Sequence, residues 1–182
     1  MRRRRVQLAA VVAVLGLLGV VAAATAGGGS RDVREHLKGY EEVPAVSSTG
    51  SGEFRARIND SRIEYRLSYR DLEGDVLQAH IHLGQERVNG GISAFLCSNL
   101  LEPPAGPPPP GTPACPGPRA GTVSGSIEAA DVIGPTGQGI APGEYNELLR
   151  AIRAGVTYAN VHSSKHTGGE IRAQLDRGHK DW

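Results

Sequence analysis

A chain of 182 residues with 20 Lys and Arg against 19 Asp and Glu carries a formal charge of +1, and four of its basic residues form the run Arg2 to Arg5. Beyond roughly the first thirty residues there is length for one domain. That remainder is slightly acidic, with no basic stripe left to neutralise a phosphate backbone and few aromatics to stack on bases. These features exclude nucleic-acid binding at the level of composition.

The N-terminus has a basic start, an uncharged apolar stretch from Val6 to Ala26, and Ala24 and Ala26 in an A-x-A arrangement before Gly27. This is the pattern of a Sec-type export signal, predicted over residues 1–26. The apolar stretch is also about long enough to cross a bilayer, so an uncleaved anchor is the alternative. In both cases the basic residues stay cytoplasmic and the chain after Gly27 crosses the membrane, which predicts a secreted or extracytoplasmic protein. Export places Cys97 and Cys115 where disulfides persist, and they are predicted to bond to each other rather than remain two free thiols. The Pro-rich segment between them can form neither a helix nor a central strand. Closing a loop of that length is worth about 3 kcal/mol.

Residues 27–35 read as a polar linker, and alternation begins near His36. Phe54, Ala56 and Ile58 alternate with Glu53, Arg55 and Arg57; Asn59-Asp60-Ser61 turns the chain; Ile63, Tyr65, Leu67 and Tyr69 alternate with Arg62, Glu64, Arg66 and Ser68. This pattern predicts a hairpin with one apolar face. Leu77, Ala79, Ile81 and Leu83 then alternate with Gln78, His80 and His82, predicting a third strand. Residues 92–97 and, more weakly, 122–128 add two more, while Asn89 with Gly90 and Gly91 reads as a turn. Tyr145, Leu148, Leu149 and Ile152 fall at helical spacing between Pro142 and Gly155. Strands over residues 157–163 and 170–175 follow, with Thr157, Ala159, Val161, Ile171, Ala173 and Leu175 inward. The fold class predicted is all-β: an antiparallel Greek-key sandwich or flattened barrel of about seven to eight strands with one short helix. Its domain is expected over residues 36–176, followed by a tail at 177–182.

No G-x-S-x-G nucleophile segment, phosphate loop or dinucleotide fingerprint occurs. Glu41 and Glu42 are adjacent, so in a strand they face apart and form no carboxylate pair. Hydrolase chemistry thus has no residues to carry it. The side chains that stand out are His80 and His82, two apart and therefore on one strand face.

Four segments together resemble a CHRD domain, the module first described in chordin: HLKGYEEVPAV from His36, LEGDVLQAHIHLGQERVNGGISAFLC from Leu72, LRAIRAG ending at Gly155, and VTYANVHSSKHTGGEIRAQL from Val156. AHIH followed by NGG, and NVH followed by GGEIR, make the combination specific. The chain departs from the usual pattern at Ala45, where a second proline often stands, and at His166, in a turn more often free of histidine. The resemblance implies an exported module; in chordin such domains belong to an extracellular protein that sequesters growth factors. A looser resemblance links HIHLG, NVHS and GGEIR to copper-zinc superoxide dismutases, whose fold is a β-sandwich. It implies His80, His82 and His162 as metal ligands and Arg172 as a nearby cation. The loop from Gln85 to Thr122 contains no histidine, so the bridging and zinc ligands of that family have no counterpart.

If the strand bearing His162 lies beside His80 and His82, as the family pattern implies, three imidazoles suit copper or zinc. Asn160, His166, Glu170 and Arg172 are then candidates to orient the ligands, with exposed ion pairing as the alternative. Ligation needs neutral imidazoles, so binding is expected to weaken as the pH falls through about 6.5. Two other functions stay open: a metal-free module that binds an extracellular protein or cell-surface partner, and a dismutase-type redox enzyme.

Overall fold

The described residues, 30–100 and 106–175 of this computed structural model, form eight strands. They are β1 (Arg31–Lys38), β2 (Ser51–Ile58), β3 (Ile63–Arg70), β4 (Val76–Leu83), β5 (Gly91–Ser98), β6 (Gly121–Ile127), β7 (Thr157–Ser163) and β8 (Ile171–Leu175). The predicted export signal and tail lie outside the described residues. No described helix is long and apolar enough to cross a membrane.

All strand pairs are antiparallel, in the order β5-β4-β7-β8-β1-β2-β3-β6. The sheet curls until its edges, β5 and β6, lie side by side. The Tyr65 hydroxyl on β3 donates to the Leu96 carbonyl on β5 across 2.6 Å, bridging the seam of this nearly closed barrel. Cys97 and Cys115 form the predicted disulfide at the same seam. The Asn99 side chain adds hydrogen bonds to the Cys115 amide and carbonyl, so the Pro-rich connection is held at its base.

The β2–β3 hairpin follows the sequence pattern: Phe54, Ala56, Ile63, Tyr65 and Leu67 are buried, and Asn59 Oδ1 accepts the amides of Ser61 and Arg62 to close the turn. The helix α1 (Tyr145–Arg153) turns Leu148, Leu149 and Ile152 into the core. The Tyr145 hydroxyl donates to the Asn59 carbonyl, which places α1 over the barrel end that carries the β2–β3 turn.

Three features differ from the expectations. Residues 31–35 belong to strand β1, paired along its length with β2, and not to a linker. The pattern was masked because Val33 is the sole apolar residue among five, its neighbours being Arg31, Asp32, Arg34 and Glu35. In β4, register shifts between Val76 and Gln78 put Val76 in the core, while Leu77 is only half-buried. Finally, the polar face of β4, β7 and β8 is not solvated: β7 and β8 are buried at every position. Alternation predicts which residues share a face; it is silent on whether loops cover that face.

Candidate metal centre

The register builds the site. On adjacent strands His80 lies opposite Asn160 and Gln78 opposite His162, while Asn160 lies opposite Arg172 on the far side of β7. Period two in each strand therefore brings His80 and His82 of β4 to the same face as Asn160 and His162 of β7 and Arg172 and Gln174 of β8. Residues 84–90 and 164–170, with residues 39–48 after β1, fold over this face. The Asn89 amide donates to the Val43 carbonyl, joining two of these covers.

Beneath them His80, His82 and His162 converge, with one nitrogen of each lying within 4.8 Å of the others. His82 Nδ1 donates to the Gly90 carbonyl at 2.9 Å, and His162 Nδ1 donates to the Thr167 carbonyl at 2.9 Å. Each bond fixes the tautomer and leaves the Nε2 lone pair turned away from the backbone. His162 Nε2 stands 3.1 Å from His80 Nδ1, and the Nε2 atoms of His80 and His82 are buried without a hydrogen-bond partner. Two imidazole nitrogens on one tetrahedral zinc, each at 2.0–2.1 Å, are about 3.3 Å apart, so the observed pair has the right spacing. Without an ion, the His80 Nδ1 proton fills the gap as a donor to His162.

Burial disfavours the imidazolium form. It holds His80 well below the ordinary imidazole range, with the charges of His162 and His82 adding to the effect. Burial lowers His82 to about 4 despite the opposing bond to Gly90, and lowers His162 against the opposing bond to Thr167. All three are thus neutral at pH 7, the form that ligates.

The flanking candidates divide into two groups. Arg172 is 1% exposed, its guanidinium 3.4 Å from the centre of the Tyr158 ring, which in turn stacks on His82. The same guanidinium donates to Asn89 Oδ1 and to the Val88 and Gln85 carbonyls, clasping the 84–90 cover to β8. Asn160 lies against both His82 and the Glu42 carboxyl and favours the charged form of each. Glu170 and His166 point elsewhere. Glu170 accepts from the Ser48 hydroxyl and the Glu73 amide, and His166 reaches Glu73 at 3.4 Å. Burial by itself would raise Glu170, but its hydroxyl and amide donors outweigh it and hold the carboxyl below its usual range.

Two residues of this layer escaped the sequence reading. Tyr158 fills the space between His82 and Arg172. Glu42 is buried, and desolvation pushes its carboxyl up to about 7, against the pull of Arg172 and Asn160. Gly169 is shaped for it: a Cβ there would stand 2.6 Å from Glu42 Oε1. The sequence signal available was the pair Glu41-Glu42 before Val43-Pro44, where one carboxylate turns outward and the other inward.

These features define a class: a disulfide-stapled antiparallel barrel with a second, polar layer built around three buried histidines. A family profile for the CHRD domain matches residues 33–175, and the chain belongs to the CHRD-domain family. Neither a comparison with curated proteins nor one with solved structures returns a match. The family and the disulfide are compatible with an extracellular location.

Proposed function

We propose that this protein is an exported module that binds one transition-metal ion, zinc or copper, through His80, His82 and His162. The observation that carries the reading is the convergence of three buried imidazoles whose ligand atoms fit within 4.8 Å. Their neutral form supports it, as do the two carbonyl bonds that orient His82 and His162. Neutral imidazoles on a rigid sheet suit zinc and copper over magnesium or calcium, which prefer oxygen donors. Asn160 and Arg172 hold the surroundings of the ligands rather than supplying donors of their own. A metal-free polar layer, with His80 donating to His162, is the competing reading.

Calorimetric titration of the purified chain with zinc and with copper(II) separates the two. One ion per chain is expected, with His82→Ala weakening binding at least tenfold while far-UV circular dichroism stays unchanged. A triple alanine variant at His80, His82 and His162 that binds as well as the parent would refute the proposal, as would a parent chain that takes up neither ion.

A further inference from the structure

The outer face of β1, β2 and β3 is a strongly basic surface. Register places Arg34 opposite Arg55 and Arg55 opposite Arg66, a cross-strand row of three arginines in the middle of the sheet. Like charges directly opposite each other destabilise a strand pair, and the Glu53 carboxylate between Arg34 and Arg55 offsets that repulsion for the first pair but not for Arg55 and Arg66. Glu53 binds both Arg34 and Arg55, but Arg66 and Arg57 have no carboxylate partner among the described residues. Outward positions of the three strands hold Arg34, Lys38, Arg55, Arg57, Arg66 and Arg70, against the carboxylates Asp32, Glu53 and Glu64. A net charge near zero conceals this segregation of arginines onto one face.

We infer that this face docks a linear acidic polysaccharide. A shallow groove of about 440 Å³ runs among Arg34, Arg55, Arg57 and Arg66, bordered by Asp32 and Glu64. Neighbouring strands lie about 4.8 Å apart, so the row presents planar, two-pronged cations at intervals comparable to one sugar residue. Guanidinium groups pair bidentately with carboxylate and sulfate. The remaining outward residues of these strands are His36, Ser51 and Ser68. With no outward aromatic or large apolar side chain, the face offers nothing to stack on nucleic-acid bases or to insert into a bilayer. Charge and flatness therefore favour a hydrophilic polyanion, and the disulfide favours one found outside the cytoplasm.

The test measures binding of the full chain to immobilised polygalacturonate and dextran sulfate, with neutral dextran as reference. Retention on the acidic polymers at low salt is expected, lost as salt screens the charges, with no retention on dextran; binding to only one polymer assigns the anion as carboxylate or sulfate. The variant R34Q/R55Q/R66Q is expected to bind at least tenfold more weakly, with an unchanged or higher melting temperature. R119Q/R150Q/R153Q, which removes the same charge from other elements, is expected to stay within twofold of the parent. Equal binding by the two variants, absence of retention on both acidic polymers, or tighter binding to single-stranded DNA or phosphatidylglycerol vesicles than to either polymer would overturn the inference.

Discussion

A buried imidazole resists protonation, and His82 shows the size of the effect, its pKa moving from 6.5 to about 4. Unfolded His82 takes its proton near 6.5 and the folded residue only near 4. Its contribution to stability is therefore complete above pH 6.5 and lost as the pH falls toward 4, on the order of 3 kcal/mol in all. Proton competition for a metal follows the folded-state value. Zinc binding is thus predicted to persist at pH 5.5 and to fail nearer 4, below the window expected from an unperturbed imidazole; calorimetry across that range checks it. Glu42 has the opposite sign, because its folded pKa of about 7 lies above the ordinary 4.5. The folded state holds the extra proton, so this contribution is present below pH 4.5 and lost as the pH rises through 7. Glu42→Gln removes that loss. Urea unfolding should show the variant gaining on the parent between pH 4.5 and 8 by on the order of 3 kcal/mol, whereas a pH-independent difference would contradict the buried-carboxyl assignment.

At the scale of elements, the strands were legible where apolar and polar residues strictly alternate, as in β2 and β3, and the helix where period 3.6 replaced it. β1 was not, because one valine among charges gives no period. The histidine pair was legible from spacing alone, and His162 only through its family motif. The covers were illegible. Residues 84–90 look like an exposed polar loop, yet they are fastened by Arg172 and Gln174, which donates to the Gly84 carbonyl. Gly90 is the tightest point in that cover: a Cβ there would stand 1.6 Å from the Leu83 carbonyl oxygen. Gly90→Ala must push the loop outward and take the Gly90 carbonyl away from His82 Nδ1. A loss of about 2 kcal/mol is expected, in line with overpacking against fixed backbone atoms, together with weaker zinc binding. Differential scanning calorimetry and a zinc titration of the same variant measure both, and a variant with parental stability would show that the loop is free to move.

For the whole molecule, the consequence is two buried layers on one sheet. The inner layer is an apolar core closed by α1 and the Cys97–Cys115 bridge; the outer layer is polar and histidine-centred. Alternation gave the all-β class and the sharing of faces, but a second layer depends on long-range contacts between loops, which no local period encodes. A polar layer of this kind stays partly unsatisfied without an ion, as the bare Nε2 atom of His82 shows, and buried polar groups without partners are costly. Metal binding to the folded state alone should therefore raise stability, by about 2.7 kcal/mol at a free-ion concentration one hundred times Kd. The most direct test is X-ray absorption at the metal edge of the zinc- or copper-loaded chain. Three imidazole nitrogens at about 2.0–2.1 Å are predicted for zinc, with the imidazole scattering lost in the triple alanine variant at His80, His82 and His162. A shell of oxygen donors alone, or a spectrum unchanged by the triple substitution, would contradict the assignment of the three histidines as a metal centre.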